Sequence, residues 1–265
     1  RPCVSLACRC PDDRIYHKSE LGSIAEQAEI NVIGVTENLR KINESIASMA
    51  RRAGRDPASV TLVAVSKRQP LERVRAAVAA GQRHFGENTL QGALEHMDAL
   101  VDALGEADLT WHFIGAIQSN KTRPIAERFD WVHTIEREKI ARRLSEQRPA
   151  AAPPLEVCIQ VNVDDEPSKS GCAPVDLAPL ADLVAGLPRL RLRGLMCIPA
   201  PAEGLDAQRR PFARLRRLLE ELNGCGHRLD TLSMGMSADL EAAILEGATL
   251  VRVGTDVFGP RPDGD

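Results

Sequence analysis

Eight short apolar runs alternate with stretches of helical spacing between residues 61 and 253, and this rhythm constrains the fold more than any other feature. The runs span 61–65, 83–85, 109–114, 131–135, 155–163, 190–198, 231–234 and 250–253. Most are rich in β-branched or aromatic residues, as buried strands are. Between them, residues 71–80, 89–104, 121–129, 137–147, 175–185, 209–222 and 238–245 carry helical spacing, and Gly81, Gly105, Gly186 and Gly247 stop four of these stretches. Strict alternation implies a parallel sheet with helices outside. Eight units in roughly 200 residues fit one closed (β/α)8 TIM barrel. An open doubly wound sheet is the alternative. It would carry a glycine-rich turn after strand 1, where this chain has Ser66 and Lys67.

Ahead of strand 1, Val35, Leu39, Ile42, Ile46 and Met49 form one helical stripe, which Gly54 and Pro57 end. Residues 1–30 show no such period, so a disordered leader is expected there, then a barrel over 31–261 and a short tail at 262–265. Cys3, Cys8 and Cys10 crowd the leader, and Cys158, Cys172, Cys197 and Cys225 are scattered. Seven cysteines without C-x-x-C spacing fit a reducing, cytoplasmic setting and no metal site. Lys and Arg total 34 against 37 Asp and Glu, a formal charge of −3, which argues against nucleic acid as a partner. No apolar run reaches the roughly 20 residues of a membrane span.

In this fold the chemistry sits at the C-terminal ends of the strands. Lys67 ends the apolar strand 61–65. Burial there would favour the neutral amine that attacks carbonyls, whereas a lysine at the same position can also snorkel to solvent. Ser237 precedes 238–245 as a helix N-cap, with free N–H groups behind it. After strand 8, Gly254 and Thr255 offer unobstructed backbone N–H groups. Loops after strands 7 and 8 are where this fold holds phosphates, so the pair favours a phosphate-bearing ligand over ordinary turns. His112, between Trp111 and Phe113, reads as a hydrogen-bonded core histidine. Glu87 either orients the strand 2 loop or is solvated. Cys158 and Cys197 read as small hydrophobes.

Seven motifs then occur in a known order: Val63-Ala-Val-Ser-Lys67, Phe85-Gly-Glu-Asn88, Trp111-His-Phe-Ile-Gly115 with Gln118-Ser-Asn-Lys121, Ser168-Lys-Ser-Gly171, Arg193-Gly-Leu-Met196, Leu232-Ser-Met-Gly-Met-Ser237 and Val251-Arg-Val-Gly-Thr255. Over residues 35–261 the chain closely resembles the pyridoxal phosphate homeostasis proteins. The resemblance implies a barrel of the alanine racemase N-terminal-domain type, with pyridoxal 5′-phosphate held on Lys67 as a Schiff base. It implies phosphate contacts from Ser237, Gly254 and Thr255, Arg252 at the pyridine nitrogen, and Asn88 and Met196 beside the ring. Lys169 matches a second lysine for taking up or passing on the cofactor. The implied role is storage and delivery of pyridoxal phosphate as a monomer, to apoenzymes that accept it, without turnover. An arginine can only donate to the ring nitrogen and leaves it unprotonated, which suits a carrier better than a carbanion-forming enzyme. A racemase or decarboxylase on the same barrel is the alternative. Racemases of this kind draw one of two bases from a tyrosine in a C-terminal β-domain, and here the only tyrosine is Tyr16. A lysine-dependent aldolase explains Lys67 but not the phosphate loops with Arg252. Three departures from the family pattern stand at Arg68-Gln69, over Thr89-Leu-Gln-Gly92, and in residues 1–30, which match nothing in the family.

Overall fold

Strands form where the apolar runs predict them. The computed structural model describes residues 18–104, 109–164 and 170–260, with side chains from residue 34 onward except at 102–104. In chain order the elements are α1 (Lys18–Arg52), β1 (Thr61–Val65), α2 (Leu71–Ala79), β2 (His84–Glu87), α3 (Leu90–Leu104), β3 (Thr110–Phe113), α4 (Thr122–Arg128) and β4 (Trp131–Ile135). They continue with α5 (Glu138–Gln147), β5 (Leu155–Gln160), α6 (Leu177–Ala185), β6 (Leu190–Met196), α7 (Leu205–Gly224), β7 (Thr231–Ser233), α8 (Leu240–Leu245), β8 (Leu250–Val253) and α9 (Thr255–Phe258). Neighbouring strands pair in parallel in chain order, and β1 pairs with β8 from Thr61↔Leu250 to Ala64↔Val253. The sheet is therefore a closed barrel, and the open-sheet alternative is set aside.

The outer face of the barrel is apolar. Leu62, Ala64, Phe85, Val132 and Leu195 belong to the core beneath the helices. Fully buried rings such as Phe85, Phe129 and Phe212 contribute about 2–3 kcal/mol each relative to exposure. The lumen differs in character. His133 on β4 bonds Ser233 on β7, strands that are not neighbours, so the contact crosses the barrel interior.

Helix α1 covers the seam where β1 meets β8, packing on α2, α8 and α9. The stripe expected from spacing is the buried one: Val35, Leu39, Ile42 and Ile46. Asn38 Nδ2 donates to Val257 O at 3.2 Å, and Arg55 Nη1 donates to Ile244 O at 3.0 Å. The expected disordered leader differs from the structure over residues 18–30, which continue α1. Ala25, Glu26, Gln27, Ala28 and Glu29 are strong helix formers, and propagation from an anchored helix is easier than nucleation. Residues 1–17 lie outside the described residues. Helix α7 also begins earlier than expected, at Leu205 behind Gly204, with Pro211 inside its second turn.

Strands β6 and β7 approach closely at Gly194, which pairs with Thr231. A Cβ at Gly194 would stand 1.8 Å from Thr231 O, a backbone atom that cannot rotate away. Gly194→Ala is expected to cost at least about 2–3 kcal/mol through forced strand separation. Urea unfolding of both proteins checks this, and equal midpoints would refute it.

Candidate functional site

The strand ends close around a cavity of about 410 Å³. From β1 come Val65, Lys67 and Gln69, and from the β2 end Asn88. Ile114 and Gly115 follow β3, and Ile198 follows β6. Met236, Ser237 and Ala238 belong to the loop between β7 and α8, while Arg252, Gly254 and Thr255 end β8.

Lys67 sits half-buried in a tight turn. Gln69 N–H donates to Ser66 O at 3.0 Å, and Arg68 takes φ 56°, a left-handed conformation unusual for a side-chain-bearing residue. Two anchors hold that turn. Ser66 Oγ donates to Glu87 Oε1 at 2.6 Å, and His96 Nε2 lies 3.0 Å from Gln69 O. His96 Nδ1 in turn lies 2.9 Å from Glu87 Oε1. Both ring nitrogens of His96 face oxygen atoms, an arrangement that suits the doubly protonated ring. Burial opposes this charge, but the Glu87 hydrogen bond and its negative charge prevail and hold the histidine pKa above its ordinary value. Glu87 is thus fully buried and not solvated, and the loop it anchors is the Lys67 turn after β1, not the strand 2 loop. Its Oε2 has no hydrogen-bond partner among the described residues. His96 escaped the sequence reading because its partner lies on a strand nine residues away, without any local pattern.

On the opposite wall, the β7–α8 loop is closed by Asp239. Its carboxylate accepts from Met236 N–H at 2.6 Å, and Asp239 N–H donates to Met236 O at 3.2 Å. The N-cap of α8 is Asp239, so the expectation that Ser237 caps this helix is corrected. The turn over 237–239 delays the helix by two residues and leaves Ser237 exposed on the cavity. Among the described residues, the backbone N–H groups of Ser237 and Ala238 donate to no protein acceptor. Gly254 stands where a Cβ would meet Val65 O at 3.3 Å, so the chain passes close to β1 there.

Arg252 is buried at the base of the cavity. Its Nη1 donates to Ser233 Oγ at 2.7 Å and its Nη2 to Cys197 O at 3.0 Å. Burial pulls its pKa below the ordinary arginine value, against the pull of Cys197, Asp239 and Cys158. The guanidinium remains a donor only.

Six residues expected from sequence therefore meet at one cavity: Lys67, Asn88, Ser237, Arg252, Gly254 and Thr255. Met196 does not line it. Paired with Gln160 and Ser233, it stays in the packed layer, and Ile198, two residues on, reaches the mouth. Lys169 lies outside the described residues. Gly115 was missed as a site residue although its motif was visible. A Cβ there would fall 2.1 Å from Asn88 O, so this glycine lets the β2 and β3 loops meet. Of the departures, Gln69 is buried on the cavity and Arg68 points outward into solvent. Among the described residues no His, Cys, Asp and Glu side chains cluster in a metal-holding group, and no helix is long and apolar enough to cross a membrane.

Comparison with known proteins adds to this geometry. Residues 38–262 match the family model of the alanine racemase N-terminal domain. The chain is 61% identical over 230 residues to a pyridoxal phosphate homeostasis protein of Pseudomonas aeruginosa, covering 87% of this chain and 97% of that one. It is 49% identical to the protein of that name from Escherichia coli K12, covering 86% and 97%. Among solved structures it is similar to PipY of Synechococcus elongatus with PLP bound, at 38% identity and a TM-score of 0.73, covering 85% of this chain and all of that one. An alanine racemase from Corynebacterium glutamicum shares the fold at 18% identity and a TM-score of 0.65, over 87% of this chain and 62% of that one.

Proposed function

Because this chain belongs to the pyridoxal phosphate homeostasis protein family, built on the alanine racemase N-terminal-domain barrel, we propose that its cavity holds pyridoxal 5′-phosphate and that the protein stores and delivers it. The observation that carries the reading is the convergence of a lysine amine, unpaired backbone N–H groups and a buried arginine on one cavity. The aldehyde of pyridoxal phosphate is open to attack by an amine, and Lys67 supplies that amine. Ser237, Ala238, Gly254 and Thr255 receive the phosphate, whose oxygens need N–H and O–H donors. Arg252 takes the ring nitrogen and Asn88 lines the ring, with Met196 backing the pocket from the layer behind. Lys169 is assigned to uptake or release. The binding unit spans residues 31–261, acts as a monomer in the cytoplasm and hands the cofactor to apoenzymes.

Turnover is not part of this reading. Arg252, anchored on Ser233 and Cys197, donates and does not protonate the ring nitrogen, so a carbanion gains little stabilisation. Titration with pyridoxal phosphate should saturate at one cofactor per chain, followed by absorbance. The loaded protein, incubated with L-alanine, L-serine, L-ornithine or L-lysine, should give no repeated turnover. Failure to saturate would remove the cofactor assignment, and many turnovers of any amino acid would replace the carrier with an enzyme.

A further inference from the structure

Three histidines cross the barrel in single file. His84 on β2 has Nδ1 3.0 Å from His112 Nε2, and His112 Nδ1 lies 2.9 Å from His133 Nε2. His133 Nδ1 lies 2.7 Å from Ser233 Oγ, which accepts from Arg252 Nη1 at 2.7 Å. The file joins the cavity above to a second cavity of about 390 Å³ at the other end of the strands, lined among others by Thr61, His84, His112, Trp131, Arg193 and Asp230.

The direction of this file follows from one donor. Arg252 can only donate, so Ser233 Oγ is its acceptor. Ser233 is fully buried, and among the described residues His133 Nδ1 is the acceptor in reach of its hydroxyl proton. A His133 that donated back would strand that proton. His133 therefore accepts at Nδ1. Burial, reinforced by the Arg252 charge, drives its pKa down to about 3, so it is neutral and its one proton sits on Nε2. That proton points at His112 Nδ1. His112 is neutral as well, held well below the ordinary value by burial and then by its two histidine neighbours. Its proton is on Nε2, aimed at His84 Nδ1. The charged groups around the file are Arg252 at one end, and at the other Arg193, paired with Asp230 and Glu156.

We propose that Ser233, His133, His112 and His84 form a one-way hydrogen-bonded relay, in which the histidines are positioning residues that hold Arg252 through Ser233 and link its placement to the opposite mouth. A proton added to His84 Nδ1 would set donor against donor at His112 and require the whole file to reverse. The relay belongs to the chain itself and does not rest on what fills the upper cavity.

The test is the ¹⁵N spectrum of the imidazole nitrogens in labelled protein near neutral pH, without cofactor. His112 and His133 should both be neutral with the proton on Nε2. A proton on Nδ1 of either would overturn the relay. In Ser233→Ala the direction is no longer imposed, so the His112 signals should change together with those of His133. Unchanged His112 signals beside altered His133 signals would overturn it too. The positioning role is read at Arg252. Solvent exchange of its guanidinium protons should rise about fivefold in His133→Leu, the factor one lost hydrogen bond of ordinary strength gives. It should return towards wild type in His133→Gln, whose carboxamide accepts and donates. Equal exchange in all three proteins would refute the role. Should His133→Leu fail to fold, the wild-type and Ser233→Ala spectra still decide.

Discussion

Lys67→Ala is expected to abolish covalent capture of pyridoxal phosphate. The lysine follows four buried residues of β1 and is presented by a turn in which Arg68 holds φ 56° and Gln69 closes back on Ser66. An amine held in this way meets an aldehyde without an ordering cost at the moment of reaction. Alanine removes the amine, and because Lys67 is only half-buried its loss should change stability by less than about 1 kcal/mol. The Arg252 and loop N–H groups remain, so reversible binding survives at reduced affinity. Borohydride reduction of the loaded protein followed by mass spectrometry should place one cofactor on the Lys67 peptide of wild type and none on the variant. Lys67→Arg should fail in the same way, because it keeps the charge but cannot deprotonate to attack. An undiminished adduct in either variant would move the attachment point elsewhere.

Glu87→Leu is expected to destabilise the fold by about 3 kcal/mol, because it breaks a buried charge pair from one side. Glu87 Oε1 accepts from both Ser66 and His96. With leucine in its place, Ser66 loses its acceptor. His96 either keeps a bare Nδ1–H in the core or gives up its proton. Glu87→Gln, which retains an acceptor, should cost clearly less. The damage should also reach the site, since Ser66 and Gln69 bracket Lys67, so cofactor capture should slow in Glu87→Leu even where the protein remains folded. The same pair gives stability a pH dependence of defined sign. His96 binds its proton more tightly folded than unfolded. Its stabilisation is therefore complete below the ordinary histidine value of about 6.5 and fades as pH rises through the higher folded value. Urea midpoints of wild type and His96→Gln should differ most in mild acid and converge in alkali. A gap that widened with pH would reverse the assignment of charge.

Much of this molecule was legible before any coordinates. The periodicity of eight apolar runs gave the strands, and their alternation with helical stretches gave a parallel barrel with its functional end at the strand termini. Lys67, Gly254 and Thr255 could be named because residues just past a strand end are placed by the strand itself, whereas Asn88 and Arg252 were implied by the family resemblance. Ser237 was found by a different rule, as a helix cap, and that rule misplaced the start of α8. The turn over 237–239 is held by Asp239, and side chain to backbone bonds of this kind compete with the helix without altering its apolar pattern.

The strands, the helix faces and the loops that follow each strand were thus legible in the sequence alone, because each depends on spacing within one segment, whereas the pairing of β1 with β8 that closes the barrel was decided by the structure. Only the tertiary structure decided how Glu87 and His96 lock the Lys67 turn, that Ile198 and not Met196 reaches the cavity, and that His84, His112 and His133 line up towards Arg252. Those relations join residues on different strands and helices. Barrel closure sets which side chains share a layer of the lumen, and burial then decides which of them carry charge.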